Sequence, residues 1–308
     1  MYTRILVPLD GSSLAEQALP YAGLLAGALN IPVSLLNVFD SVPPQFADPG
    51  RGLYETQITA SYRDNAIDYL QKAGSGLKQS GVTITADAHE GNAAEQIINE
   101  AEKDPDTLIA MVTHGRSGLG RWVLGSVTDK VLHATTNPLL IAHAQDEASV
   151  NPQPTLKNLI VPLDGSPLAG RVLPHVEALV PALGLNVILV RVAASSDDYY
   201  RYVDMSMGAA IDTSRFDEYS HQAEAEAATY LEKVKEQLSG KGVTSVEERL
   251  VAGSAAGAIL DLAQETPDSL VALTTHGRSG VERWVLGSVT DRLVRHSGQP
   301  VLVIRADD

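Results

Sequence analysis

The chain alternates short apolar runs of strand length with longer stretches of helical periodicity, and it does so in the same order twice. After its first residue, Arg4–Leu9 is apolar and ends at Asp10-Gly11-Ser12, which reads as a buried strand entering a turn. Ser12 or Ser13 can cap a helix running to about Ala28. Val33–Phe39 reads as a second strand, followed by a Pro/Gly-rich loop, Asp40–Gly52. A helix is expected from about Glu55 to Lys78, ending near Gly81. Then come a strand over Val82–Ala88, a helix over Ala93–Glu102, a strand over Leu108–Thr113, a helix over Ser126–Ala134 and a last strand over Pro138–Ala142. This order predicts a five-stranded parallel sheet with helices on both faces. The second half follows the same pattern, so the expected fold class is α/β, with two tandem doubly wound domains.

The repetition extends to the residues. Ile5–Ser12 reads ILVPLDGS and Leu159–Ser166 reads LIVPLDGS. Thr113–Lys130 and Thr275–Arg292 share 15 of 18 positions, the exceptions being Leu119/Val281, Gly120/Glu282 and Lys130/Arg292. The offset is 154 between Asp10 and Asp164 and 162 between Gly125 and Gly287, so the second copy carries extra residues, mainly between Val192 and Tyr219. A period this long is domain duplication rather than a solenoid. The polar, Pro-containing stretch from Ala144 to Thr155 reads as the linker, which gives expected domains 1–144 and 156–308. Identity between the copies is concentrated in the loop after the fourth strand, which implies a local constraint, either function or a demanding turn.

Composition narrows the function. The 308 residues carry a net charge of −15, which opposes binding to nucleic acid or anionic lipid. With no cysteine, disulfides, thiolate nucleophiles and Cys-ligated zinc are excluded. Neither a signal-peptide pattern nor an apolar run of membrane-spanning length is found, so a cytoplasmic location without a membrane partner is expected. Aromatics are only 5% of the chain, and the apolar mass is mostly Ala, Val, Leu and Ile, as suits parallel strands under Ala-rich helices.

Ligands of such sheets bind beyond the carboxyl ends of the strands, where the strand order reverses. Asp10, Val38 and the segment His114–Ser126 all emerge at that edge. Gly115 can adopt positive φ and lets a ligand approach the backbone closely, and Gly125 can do the same at the helix entrance. Ser126 can cap the following helix, and its hydroxyl can donate to a phosphate oxygen. The free N–H groups of that helix's first turn form an anion site. Arg116 and Arg121 add positive charge to the loop. The alternative reading of Gly125-Ser126 is a turn and a cap alone. Neither a Walker A lysine nor the dinucleotide Gly-x-Gly-x-x-Gly spacing is present.

On these residues the chain resembles the universal stress protein family over both halves. ATP-binding members of that family carry Gly-x2-Gly-x9-Gly-Ser/Thr after the fourth strand on an adenine nucleotide alpha hydrolase-like fold. Gly115, Gly125 and Ser126 match its last three fixed positions, as do Gly277, Gly287 and Ser288; the first glycine falls at Val112 and Thr274, and neither is Gly. The resemblance implies that Asp10 and Asp164 lie beside the adenosine or a phosphate-bound divalent ion, and that Val38 and Val192 meet the adenine through their backbone. The nucleotide-binding set it implies is completed by Arg116, Gly118 and Val127 in the first copy and by Arg278, Gly280 and Val289 in the second. The implied cofactor is ATP, with Mg²⁺ arriving on the nucleotide rather than at a protein-only metal site. The implied activity is nucleotide-dependent signalling or protection in stress, toward an unidentified protein partner. Family members pair through their last strands, so Pro138–Ala142 would lie near Pro300–Ile304 in an internal pseudo-dimer; a homodimer of the whole chain stays open.

Other readings stay open beside this one. Slow ATP hydrolysis needs positioning alone, although no general base with a fixed partner is evident and no catalytic residue is assigned. A fold-only interaction protein would fit Val112 and Thr274. His114 and His276 suit a turn-stabilising hydrogen bond or a ligand contact, and Asp10 a turn cap or a ligand contact. Trp122 and Trp284 suit a buried anchor or a partner-facing patch, and the Tyr- and Met-bearing insert Ser195–Phe216 a lid, a docking segment or a loop.

Overall fold

A computed structural model describes residues 1–40, 52–117, 121–144, 154–193, 213–275 and 286–305, with side chains described except at 52–56, 114–117, 121–123 and 213–220. The chain divides into two compact units, Met1–Pro154 and Thr155–Asp308.

In the first unit β1 (Arg4–Pro8), β2 (Val33–Phe39), β3 (Ile84–Glu90), β4 (Thr107–Ser117) and β6 (Leu139–His143) form a parallel sheet in the order β3-β2-β1-β4-β6. Register pairs such as Ile5 with Val33, Ile5 with Leu108 and Ile109 with Leu139 fix the central strands. These strands are apolar throughout because both faces are covered: Ile5, Val7, Leu108, Ile109 and Ile141 are fully buried. The edge strand β3 instead exposes Thr85 and Glu90, and polar edges discourage pairing with other chains.

Helix formation follows local chemistry. Ser12 caps α1 (Ser13–Glu16) by accepting the Ala15 N–H. The helix expected to run on to Ala28 pauses at Gln17 and resumes as α2 (Ala18–Leu29). Pro20, which cannot donate to the Glu16 carbonyl and whose ring crowds it, accounts for the pause. The long helix α3 (Gly52–Ala73) likewise stops before Lys78, and α4 (Ser75–Gln79) follows Gly74. There the helix lies so close to the sheet that a Cβ on Gly74 would come within 2.8 Å of Leu35. Strand β3 begins two residues later than the expected Val82, while α5 (Ala93–Glu102) and α6 (Ser126–Ala134) have the expected bounds.

The largest departure is at β4. The strand expected to end at Thr113 continues to Ser117 and pairs antiparallel with β5 (Arg121–Val123), with an irregular register between His114 and Arg116. Much of the expected loop is therefore a hairpin. Glycines suggest a loop in sequence, but a strand irregularity accommodates them equally well.

The second unit repeats the plan. Strands β7 (Asn158–Pro162), β8 (Asn186–Ala193), β9 (Val246–Ala252), β10 (Ser269–Thr274) and β11 (Val301–Ile304) are parallel in the order β11-β10-β7-β8-β9. A 3₁₀ turn (Ala169–Val172) leads into α7 (Leu173–Leu183); α8 (Thr213–Ser239), α9 (Ala255–Glu265) and α10 (Ser288–His296) follow. α7 ends on Gly184 in the left-handed region, matching Asn30 at the end of α2. Residues 195–212 of the insert and linker residues 145–153 lie outside the described residues.

Candidate functional site

Each unit has a cavity where its strand order reverses, between the carboxyl ends of β1 and β4 and of β7 and β10. The first has a volume of about 460 Å³ and is lined by Leu9, Asp10, Val38, Val112, Gly125, Ser126 and Val127, among others. The second is about 270 Å³ and is lined by Leu163, Asp164, Val192, Thr274, Gly287, Ser288 and Val289, among others. The folding pattern brings together Asp10, Val38, Gly125, Ser126 and Val127 in one wall, and Asp164, Val192, Gly287, Ser288 and Val289 in the other.

The turn after the first strand is built identically in both units. Gly11 (φ +91°) and Gly165 (φ +84°) sit in the left-handed region, where a side chain would be strained. The turn lets each aspartate accept the backbone N–H of the serine two residues on, at 3.0 Å from Ser12 to Asp10 and 2.8 Å from Ser166 to Asp164. Ser12 Oγ also donates to Asp10 Oδ1 at 2.6 Å. Asp10 thus closes the turn and also lines the cavity.

The helix on the opposite wall differs from expectation in one respect. Gly125, not Ser126, is the N-cap of α6, and Ser126 is the first helical residue. Gly287 and Ser288 stand in the same relation to α10. The cap glycines have φ −63° and −60°, extended geometry open to any residue, so they do not supply positive φ. What they contribute is a cap with no side chain. The exposed serine hydroxyls and the first-turn N–H groups stand at the cavity wall, where a helix N-terminus favours anions.

Gly115 and Arg116 lie on the β4 extension, with side-chain geometry outside the described residues. Gly118, Gly277, Arg278 and Gly280 lie outside the described residues altogether, as do His276 and Trp284. Val112 and Thr274, at the position of the missing first glycine, both line their cavities.

Sequence reading missed several wall residues. Thr128 and Thr290 line the cavities from the first helical turn, and Thr290 Oγ1 donates to the Thr274 carbonyl at 2.9 Å. Ala93 and Ile97 of α5, and Ala255 and Ile259 of α9, supply apolar wall. Among positions lining both cavities, the residue types differ only at Leu36/Val190, Met111/Leu273 and Val112/Thr274. Pairing the copies position by position would have found the rest.

Two tyrosines were also missed. Tyr69 of α3 donates to Glu16 Oε1 at 3.0 Å; burial, this bond and the nearby Glu16 and Asp10 charges push its hydroxyl well above the usual range. Tyr230 of α8 lies under the Arg191 guanidinium, 5.1 Å from the ring centre. Its hydroxyl is also raised, first by burial and then by the Asp164 charge. Both tyrosines occur in a Tyr-Leu-x-Lys match, residues 69–72 and 230–233, outside the obvious repeats.

Comparison with known proteins covers both units. The Universal stress protein family profile matches the chain twice, over residues 1–143 and 155–305. A universal stress protein of Mycolicibacterium smegmatis is 23% identical over 306 residues, covering 98% of this chain and 96% of the relative. One from Methanocaldococcus jannaschii is 32% identical over 141 residues, covering 46% of this chain and 82% of its own length. The crystal structure of a universal stress protein from Archaeoglobus fulgidus superposes with a TM-score of 0.68 at 19% identity, covering 99% of this chain and 98% of that one. The chain belongs to the universal stress protein family, and its fold is that of the family, α/β with two tandem domains.

Proposed function

We propose that this universal stress protein binds adenine nucleotides in its two cavities and that the bound state controls an interaction with a protein partner in stress. The observation that carries this reading is the repeated cavity wall. Two units with divergent helices keep most of the same residues around a cavity at the strand-order reversal, facing a helix N-terminus. A packing constraint alone would not select an exposed serine at the first helical position of both units.

In this reading the base lies against the apolar wall of Val38 and Ile97, or of Val192 and Ile259. The phosphates meet the α6 N-terminus and the Ser126 hydroxyl, where backbone donors and the helix dipole stabilise negative charge. The domains that act are the two family-matched halves, in a cytoplasmic protein. Asp10, whose carboxylate lines the first cavity, fits a divalent ion carried by the nucleotide. Such an ion, Mg²⁺ for ATP, would offset the phosphate charge near Asp10 and Glu16.

The test is to identify nucleotide released from the purified protein, then to titrate the emptied protein calorimetrically with ATP and AMP, with and without Mg²⁺. Saturable binding of either nucleotide is expected. Absence of binding to both would leave a partner-binding tandem that keeps its turns for structural reasons.

A further inference from the structure

The two cavities differ at the end that would receive phosphates. In the second unit, the Gly287 N–H donates to the Thr275 carbonyl at 2.9 Å, and Thr290 Oγ1 donates to the Thr274 carbonyl at 2.9 Å. Both bonds tie the start of α10 to the end of β10. Gly287 is the N-cap, so a backbone donor at the helix entrance is already committed to a protein carbonyl. In the first unit the matching hydroxyl contact, Thr128 Oγ1 to the Val112 carbonyl, is stretched to 3.5 Å. At that length a hydrogen bond holds little, and the start of α6 is less firmly tied to its strand.

The cavity dimensions agree with the bonding. Small-molecule pockets span roughly 300–1,000 Å³; the first cavity, at about 460 Å³, falls inside that range and the second, at about 270 Å³, falls below it. The first cavity is also lined by Ser12 and Leu14, whereas the corresponding side of the second is lined by Asp164 and Ala169, the counterparts of Asp10 and Ala15.

We infer that the two sites take different ligands: the first holds a complete adenine nucleotide, and the second holds only a nucleoside-sized adenine ligand. The phosphate end of the second is tied down by its own helix-to-strand bonds and belongs to the smaller cavity. This inference rests on the adenine-nucleotide reading above and assigns each cavity its share. The base-side walls are alike in both units, with Val38 and Ile97 matched by Val192 and Ile259, so both retain apolar contact for a base. Both keep a first-turn serine at the wall, but only the first leaves room for a phosphate chain.

The experiment is calorimetric titration of the full chain with ATP and with adenosine, in the native protein and in the Ala93→Phe and Ala255→Phe variants. Both alanines line their cavities from the first residue of a helix and are half-buried, so the ring enters the cavity without entering the core. Native protein should bind one ATP and two adenosines per chain. Ala93→Phe should weaken ATP binding at least ~10-fold, about 1.4 kcal/mol, and keep one adenosine. Ala255→Phe should keep ATP binding and lose one adenosine. The milder Ala93→Leu and Ala255→Leu pair, checked by circular dichroism, serves if phenylalanine unfolds either unit. Two ATP per chain, or an adenosine stoichiometry that Ala255→Phe leaves unchanged, overturns the division while the nucleotide reading stands. If the native protein binds neither ligand, the reading beneath it falls as well.

Discussion

Replacing Ser126 with alanine separates ligand binding from folding. Had Ser126 been the N-cap, its loss would cost about 0.5–2 kcal/mol of stability, and a weaker ligand affinity would be ambiguous. The cap is Gly125, and Ser126 is an exposed first helical residue. Alanine is the better helix former by up to ~0.5 kcal/mol in a helix interior, and exposed substitutions usually change stability by less than about 0.5 kcal/mol. Stability should therefore hold. The hydroxyl faces the cavity, and a hydrogen bond to a charged phosphate contributes about 1.5–3 kcal/mol. That corresponds to roughly a 10- to 150-fold weaker ATP affinity. The assay pairs calorimetric titration with urea unfolding of Ser126→Ala and Ser288→Ala. Only Ser126→Ala should weaken ATP, because the smaller second cavity lacks room for the phosphate chain. Unchanged ATP affinity in Ser126→Ala would refute the phosphate role of this serine. A stability loss above about 1 kcal/mol would refute the assignment of the cap to Gly125.

Further predictions concern the scaffold. Thr290→Val leaves the Thr274 carbonyl without its 2.9 Å partner and should cost about 1–2 kcal/mol in chemical denaturation, whereas Thr128→Val, which removes a 3.5 Å contact, should cost less; equal costs would contradict the difference in how the two helices are tied. Arg4→Met removes the Nε bond to Thr107 Oγ1 at 3.0 Å and the ion pair with Glu100 at 3.0 Å, while Lys103 still faces Glu100. A loss of about 2–3 kcal/mol is expected from urea midpoints, with no change in ATP affinity because Arg4 lies at the opposite end of β1. Acid should weaken the first unit before the second. Burial raises the Glu100 and Asp87 carboxyls, but bonds from Lys103 and Arg4 to Glu100, and from His89 and the Ala88 N–H to Asp87, outweigh it and hold both below the usual range. The unfolded chain then binds more protons in acid, so the stability these groups contribute is full above about pH 4–5 and is lost as pH falls through their folded values. The matching positions of the second unit are Leu262 and Arg249. Hydrogen exchange at pH 3–5 should therefore show the first unit opening earlier, and simultaneous opening would count against this account.

The central strands, α5, α6 and part of the cavity wall were legible because buried parallel strands are continuous apolar runs and because the duplication marks shared residues twice. The breaks at Gln17 and Gly74 were not. The first depends on a proline three residues inside the next helix, and the second on how close the helix lies to Leu35. The β4 extension was hidden because Gly115 fits a loop and a strand irregularity equally well, and only pairing with β5 distinguishes them. Tyr69 and Tyr230 reach the first turn from helices far away in sequence. No local pattern gives that distance, although their shared Tyr-Leu-x-Lys context marks them as equivalent.

The duplication acts as a comparison within one molecule. The residues that coincide in both units lie on the turn after the first strand, on the start of the helix after the fourth and on the wall between them, and these converge on the cavities. The turn is kept together with its geometry, down to the aspartate-to-serine bond. What has changed lies beside the walls. Asn37 holds the Leu9 carbonyl at 2.7 Å in one unit, where Arg191 stacks on Tyr230 in the other. Glu16, the partner of Tyr69, is replaced by Gly170. The first turn therefore sits beside a second carboxylate, and its counterpart beside a guanidinium that crowds the Gly165 backbone. The guanidinium favours an anion and the second carboxylate does not, so it is the cavity dimensions and the helix-to-strand bonds, not these charges, that separate two sites binding one base but not one phosphate chain.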